Sequence, residues 1–322
     1  MKKLTRMTFL AALAVISHSS QAELKPLSDG VLSNLTGQAG ITIDMKNLAI
    51  DIGEINYQDE GNLYFTGISF GGAGLAQEAR GQTVTEGLGM DNFAWVIDVA
   101  GASDGDALAS KWGYDGVSLA SGEITKVVDT GGSHGQTTPT IEDGDLVIQA
   151  RLIDHSDHAD FGILVDRIAL GRSDLVAGDD LIGNNASGTV LASDVVISGV
   201  GGPAAIVIDA SENNLNFSNS WQSDSSITFD FIATKLNMKM HNSRGNDRLI
   251  WNVSGESENV SFFHFQADIG AAADGLKFNV TDFSGDIDLT DITFGLHSAA
   301  VPIGDIYITD LAASANMVIY GH

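Results

Sequence analysis

The sequence predicts an all-β protein. Glycine occurs 37 times and proline only 4 times in 322 residues. Val, Ile, Thr and Phe are frequent between the glycines, which is typical of many short strands joined by turns. Apolar and polar residues also alternate with the two-residue period of a strand, as they do from Ile41 to Met45. We therefore expect a β-solenoid-like stack or a bent β-sandwich with a short N-terminal helix.

The first 22 residues have the order of a secretory signal peptide. Lys2, Lys3 and Arg6 give a positive start, residues 7–16 are an apolar stretch, and residues 20–22 (Ser-Gln-Ala) offer the small residues that a signal peptidase reads. The apolar stretch is shorter than a membrane-spanning helix, and we expect no transmembrane helix in the mature chain. The sequence predicts one exported domain over residues 23–322, located in the periplasm, on the outer-membrane surface or outside the cell.

The charge of this domain limits its partners. Removing the signal takes away three of the 16 basic residues and none of the 42 acidic ones, which leaves a net charge of −29 on 300 residues. Such a field repels nucleic acid, so we expect no nucleic-acid partner. The chain has no cysteine, so its stability must come from burial and backbone pairing.

The elements follow in order from the N-terminus. In residues 27–40, Ser28 or Asp29 can cap a short helix and Gly37 can end it. An alternating strand begins at Ile41, and its phase changes near Asn47, which predicts a bulge or corner there.

The same reasoning predicts further strands, and residues 71–92 and 100–143, which lack sustained periodicity, as long loops or small inserted elements. We interpret the glycine runs 71–74 and 199–202 as flexible turns. The predicted strands span residues 63–70, 93–99, 146–153, 161–170, 190–198, 205–208, 227–240, 249–253, 260–269, 276–280, 287–294, 303–308 and 316–320.

A weak internal repeat runs through the strands. An apolar residue, two polar residues and another apolar residue describe a strand, a corner and a return to the core. Stacked corners of this kind build a solenoid or a strongly bent sheet, and an antiparallel sandwich with bulged strands is the alternative. The repeat occurs at residues 45–48, 165–168, 280–283, 289–292 and 308–311.

Residues 32–43 read L-S-N-L-T-G-Q-A-G-I-T-I directly after the signal. This opening, together with the closing residues 303–308 and 317–322, resembles a group of exported gram-negative proteins that includes pilus assembly proteins of the Fil type. The resemblance implies a filament or envelope role and carries no catalytic residues. The small residues 36–40 before an apolar strand can let two backbones approach closely. We therefore expect the segment of residues 32–45, through Ile41 and Ile43, to contact a filament or envelope partner or a second copy.

The densest group of possible metal ligands lies between two predicted strands. Asp154, Asp157 and Asp160 offer oxygen ligands of the kind calcium takes, whereas His155 and His158 with a carboxylate would suit zinc. A solvated acidic loop explains the same residues, since the group matches no defined motif. A metal site and a solvated loop are therefore both interpretations of these residues, and calcium is the cofactor to test.

We assign no catalytic and no cofactor-binding residue, and we expect a non-enzymatic protein of the cell envelope or surface, with a role in pilus assembly or adhesion. Membrane association would then run through a partner. One alternative is a carbohydrate-active enzyme on a β-helical scaffold, with two of the many carboxylates as acid and base and Trp112 or Trp221 stacking on sugar. A second alternative is an outer-membrane β-barrel, which the strands with apolar residues on both faces disfavour.

Overall fold

The computed structural model describes residues 40–99, 123–127, 144–153, 159–171, 189–209, 211, 213–244, 248–252, 260–295 and 301–320. The all-β class is confirmed, because strands dominate these residues and the only α-helix among them is α1 (Ala73–Ala79). The signal peptide and, apart from Gly40, the predicted N-terminal helix lie outside the described residues.

Fifteen strands are described, and several of them are far longer than the predicted segments. In chain order they are β1 (Ile41–Met45), β2 (Ile50–Gln58), β3 (Asn62–Gly71), β4 (Phe93–Val99), β5 (Glu123–Val127), β6 (Leu146–Leu152), β7 (Ala159–Gly171), β8 (Thr189–Asp209), β9 (Asn214–Phe229), β10 (Thr234–His241), β11 (Arg248–Asn252), β12 (Val260–Ser261), β13 (Phe263–Ala272), β14 (Gly275–Phe294) and β15 (Pro302–Ile319).

Twelve of these strands form one sheet, while β5, β11 and β12 form a separate three-stranded sheet. Every pairing between described strands is antiparallel. The sequence left open a solenoid-like stack and a bent β-sandwich with antiparallel, bulged strands, and antiparallel pairing throughout disfavours the stack of parallel rungs.

The large sheet consists of two rows that share four long strands. Row A contains the short strands β2, β3, β7 and β10, and row B contains β1, β4, β6 and β13. The long strands β8, β9, β14 and β15 run through both rows. For example, residues 223–229 of β9 pair with β10 in row A, and residues 214–221 pair with β13 in row B. Each row is therefore eight strands wide, and the long strands hold the rows together.

The long strands are irregular at the junction where they pass from one row to the other. The register of β8 against β9 shifts between Gly201 and Ala204, and that of β14 against β15 shifts between Gly285 and Ile287. Gly285 has φ +144, and a Cβ atom there would lie 2.5 Å from the ring of Phe263. Only glycine fits this close approach, because a side chain would meet both backbone strain and a clash.

The predicted corners coincide with irregularities in the strands. The third residue of the repeat has a positive φ at Asn47 (52°), Asp291 (52°) and Asp310 (55°), and Asp194 in β8 has the same conformation (51°). Asn and Asp tolerate the left-handed region better than other side chains, and such residues let a strand bulge and bend. The corner predicted near Asn47 is thus confirmed.

The two faces of β9 differ in polarity in row B. The buried face of β9 carries Asn216, Ser218 and Ser220, whereas its half-buried face carries Leu215 and Phe217. This small polar face explains why residues 214–226 were not predicted as a strand. The aromatic rings stack across strands on the other face, with 5.9 Å between the Phe217 and Phe265 centroids and 6.5 Å between those of Phe265 and Phe278.

Two interpretations of glycine runs were wrong. Residues 199–202 lie inside β8, and residues 71–74 end β3 and begin α1. A Cβ atom on Gly74 would lie 2.5 Å from the carbonyl oxygen of Glu86, so glycine permits close contact here instead of flexibility.

The strand predicted over residues 227–240 was also wrong as one element. A 3-10 turn at Asp230–Ile232 separates β9 from β10, and Ala233 follows it at φ 50°. Conversely, the segments predicted at 276–280 and 287–294 form one strand, β14, because the bulges bend the chain without ending its pairing.

The conformation of Asp194 gives a test of the bulges. We expect Asp194→Val to lower the free energy of unfolding by about 1–2 kcal/mol, because an L-residue with a branched Cβ is strained at positive φ. The exposed Asp194→Gly variant is the control and should be near neutral. Denaturant titration measures both variants, and equal stability of the valine and glycine variants would contradict the left-handed assignment.

Candidate functional site

Among the residues that the structure describes, the large sheet ends in two edges that pair with no further strand. Strand β15 pairs with β14 alone, and β1 and β2 pair with β4 and β3 respectively. Among the described strands, none pairs with the other side of β1, β2 or β15. Each edge therefore presents a row of backbone N–H and C=O groups that can accept another strand.

The β15 edge is long, exposed and apolar. It has 18 residues, and all but Leu311 and Ala312 are exposed. Apolar residues occur consecutively at 306–308 and 317–320, so both faces of the strand carry exposed apolar side chains, with Ile303 65% and Ile319 59% exposed. Proteins usually protect such edges with lysine, proline or short length. Within β15, one proline stands at the first residue and there is no lysine.

The opposite edge contains the residues predicted for assembly. Ile41 and Ile43 lie in β1 and pair with Ile97 and Trp95 of β4, with exposed fractions of 60% and 43%. Strand β2 continues this edge in row A and exposes further apolar side chains. Residues 32–39 of the predicted contact segment lie outside the described residues.

An arginine fixes β15 to the sheet at the junction. Arg244 follows β10, and its guanidinium donates to both oxygens of Asp288 in β14, at 2.6 and 3.1 Å. It also donates to the Thr309 hydroxyl at 3.0 Å and to the Ile308 carbonyl at 3.1 Å. The bidentate geometry and these further bonds join three strands through one side chain.

Buried groups next to this arginine complete the junction. Asp286 is fully buried and accepts the backbone N–H groups of Arg244 at 2.6 Å and Asp310 at 3.1 Å. His241 is also buried, with Nε2 3.2 Å from the Asp288 carboxylate and Nδ1 2.7 Å from the Ser243 hydroxyl. Both ring nitrogens of His241 have partners and Asp288 is paired with Arg244, so the cluster has a structural role. We call these four residues, His241, Arg244, Asp286 and Asp288, the Arg244 lock.

The electrostatics of the lock favour the charged Arg244–Asp288 pair and a neutral His241. Burial alone would raise the pKa of Asp288, but hydrogen bonds from Arg244 and His241 outweigh it and leave the pKa lowered. The pKa of Arg244 is raised chiefly by its bond to Asp288. Burial lowers the pKa of His241, against the opposing effect of Asp288.

The predicted metal loop is only partly described. Asp154, His155, Asp157 and His158 lie outside the described residues. Asp160 lies in β7, where its carboxylate accepts the N–H of Ala73 at 2.8 Å. Among the residues that the structure describes, no group of three or more His, Asp or Glu side chains could hold a metal ion.

Asp160 also lines an acidic cleft beside α1, with a volume of about 570 Å³. The other carboxylates of the cleft are Glu86, Asp91 and Asp224. Asp91 accepts the N–H of Asn47, and Asp224 lies 3.4 Å from Arg80. Three of the four carboxylates therefore hold the backbone or an arginine in place, which is a structural use of these groups.

Of the two tryptophans considered for sugar stacking, the structure describes Trp221. Trp221 was predicted as an exposed sugar-stacking residue, but it is half-buried in β9 with its ring centroid 5.4 Å from that of Phe263. Trp112 lies outside the described residues. The Arg244 lock was not predicted, because it joins Arg244 to Asp286 and Asp288, more than 40 residues further along the chain, and forms no local motif.

The lock predicts a local effect of Arg244→Lys. Lysine cannot make the bidentate contact, and the loss of one charged hydrogen bond is about 1.5–3 kcal/mol. We expect amide hydrogen exchange in β15 near Ile308 to become roughly tenfold faster or more, while β3 is unchanged. Arg80→Lys, at the cleft, is the matched control. Equal exchange rates in β15 for the two variants would contradict the lock.

Acid should destabilise the fold through His264. This residue is fully buried, and burial lowers its pKa to about 4, with a hydrogen bond to Gln266 opposing the shift. An unfolded histidine has a pKa of about 6.5, so between these values the unfolded chain binds a proton that the folded chain does not. Stability should therefore fall by up to about 3 kcal/mol as the pH falls from about 6.5 to 4.

The His264→Gln variant separates this effect from other titrations. Its free energy of unfolding should depend less on pH than that of the wild type across the same window. Urea titrations at several pH values measure both proteins, and an equal loss of stability on acidification would exclude His264 as the cause.

Comparison with known proteins matches a family model to the N-terminal part of the chain. A model of a family of unknown function (DUF6160) matches residues 1–101, a segment that includes β1 to β4. No curated protein and no solved structure matches the chain. In the described part of the chain, no helix has the length and apolar character to cross a membrane.

Proposed function

We propose that this protein is a non-enzymatic structural component of the bacterial cell envelope or cell surface that assembles through strand edges. The single observation that carries the proposal is the pair of edges, β15 and β1–β2, that no other described strand covers. The signal-like N-terminus and the resemblance to pilus assembly proteins support export and a filament or adhesive role.

The edges favour assembly for two physical reasons. Their outward backbone groups gain hydrogen bonds from an added strand, and their exposed apolar side chains gain burial at about 25 cal/mol per Å². Side chains such as Ile41 and Ile303, each at least 60% exposed, leave most of this gain unrealised in the isolated chain.

The rival enzymatic function depends on the acidic cleft. A glycan-cleaving site needs two carboxylates facing one bond. Here Asp91, Asp160 and Asp224 are already bonded to Asn47, Ala73 and Arg80. The edges therefore support the structural function better than the cleft supports catalysis.

The test replaces Ile41 and Ile43 with threonine. Threonine keeps the β-propensity of the strand but removes apolar surface, so association should weaken by about tenfold or more while the melting temperature changes little. Crosslinking in intact cells and size analysis of the exported protein measure association, and thermal melts measure folding.

The matched control is the Leu170→Thr, Ile208→Thr variant. These two side chains are 45% and 41% exposed but lie in β7 and β8, which are paired on both sides. The control should retain association. If the wild type gives no crosslinked partner in cells and remains monomeric at all concentrations, the proposed function fails.

A further inference from the structure

We infer that the partner of each edge is a second copy of this chain, with β15 of one copy added antiparallel to β1–β2 of the next. This inference rests on the proposed function and names its partner. Three features of the edges carry it: the direction of their strands, their length, and their exposed apolar surface.

The strand directions are compatible with this pairing. Every pairing in the sheet is antiparallel, so direction alternates along row A from β2 to β15 and along row B from β1 to β15. Each row has eight strands, and the first and the last therefore run in opposite directions. When two copies lie side by side in the same orientation, β15 of one meets β1–β2 of the other as an antiparallel pair.

The lengths and irregularities of the edges also correspond. Strand β15 has 18 residues, and residues 41–58 are 18 residues when the four between β1 and β2 are included. Each edge passes from one row to the other at a left-handed residue, Asn47 on one side and Asp310 on the other. Both edges can therefore follow the same bent path.

The surface of the edges favours a strand over a lipid occupant. A lipid surface could cover the apolar side chains of β15, but it cannot bond the outward backbone groups. An added strand supplies both. Pairing of β15 with β15 about a twofold axis would also satisfy that edge, but it would leave Ile41 and Ile50 exposed on the other edge.

Pairing of unlike edges has a consequence for assembly. An interface between two different surfaces of the same chain repeats without limit unless it closes into a ring. The exposed carboxylates of Asp44 and Asp51 on one edge and of Asp305 on the other carry the same sign. Their repulsion, added to the overall negative charge, should make assembly weaker at low salt and stronger when salt screens it.

The test uses one variant for each edge. Ile303→Glu with Ile319→Glu blocks β15, and Ile41→Glu with Ile50→Glu blocks β1–β2. All four side chains are at least 44% exposed, so the substitutions should leave folding intact. Leu170→Glu with Ile208→Glu is the control, because it makes the same charge change at exposed positions in β7 and β8, which are paired on both sides.

The two edge variants are examined alone and as a mixture, to see whether each supplies the edge that the other lacks. Light scattering and sedimentation of the exported protein measure the size of the assemblies. The wild type and the control should form concentration-dependent multimers, and each edge variant alone should be monomeric. An equal mixture of the two edge variants should form dimers and nothing larger, because only one free edge of each kind remains. If the β1–β2 variant still dimerises alone, β15 pairs with itself and the inference is wrong.

Engineered cysteines test whether the two edges pair between molecules or within one molecule. The chain has no cysteine, and Thr42 and Val318 are exposed near the ends that would meet. Thr42→Cys mixed with Val318→Cys should give disulfide-linked dimers. A single chain carrying both substitutions that crosslinks only within itself at high concentration would overturn the inference.

A monomeric wild type separates this inference from the proposed function. If the pure protein does not self-associate but crosslinks in cells to a different envelope protein through Ile41 and Ile43, the proposed function stands and self-assembly is wrong. Flotation with vesicles of bacterial phospholipid, without self-association, would likewise overturn the inference.

Discussion

Backbone pairing along the four long strands β8, β9, β14 and β15 is the constraint on which the rest of the structure depends. Strands β8, β9 and β14 each pair on one side with two different strands in turn, one in row A and one in row B, and β15 pairs with β14 along both rows. The bulges and left-handed residues let them do so without ending their ladders. The rows, the junction and the two open edges follow from this arrangement.

The polarity of the sheet adds a second constraint. On β9 and β13 in row B one face buries polar side chains such as Ser218 and Gln266, whereas the opposite face carries the aromatic rings of Phe217 and Phe265. Burial of groups such as His264 and Ser220 is tolerated because they bond each other at 2.9 Å. The aromatic face meets β1 and β15 at its margins, so apolar surface continues to both edges.

The sequence was sufficient for the class and for many strands. Strand β4 was predicted with the bounds that it has, because a continuous apolar run at residues 93–97 lies between polar, glycine-rich segments. Ile41 and Ile43 were correctly placed in a strand, and the structure shows them exposed. Strand β9 was missed because its buried face is serine and asparagine, a composition that indicates loops in most sequences.

Long-range features could not be obtained in this way. The pairing of β13 with β9, the collinear positions of β10 and β13, and the contact of Arg244 with Asp288 all join residues far apart in the chain. One sequence contains no direct signal of such contacts. The glycine runs failed for a related reason, since glycine serves close approach as well as flexibility and only the neighbouring backbone distinguishes the two.

Hydrogen exchange of the exported protein, compared above and below its assembly concentration, tests the central claim most directly. The outward amides of β1, β2 and β15 should become protected together on assembly, while those of β8 and β9, already paired on both sides, should not change. Protection that appears in neither edge, or in β15 alone, would contradict an account in which the two edges pair with each other between copies.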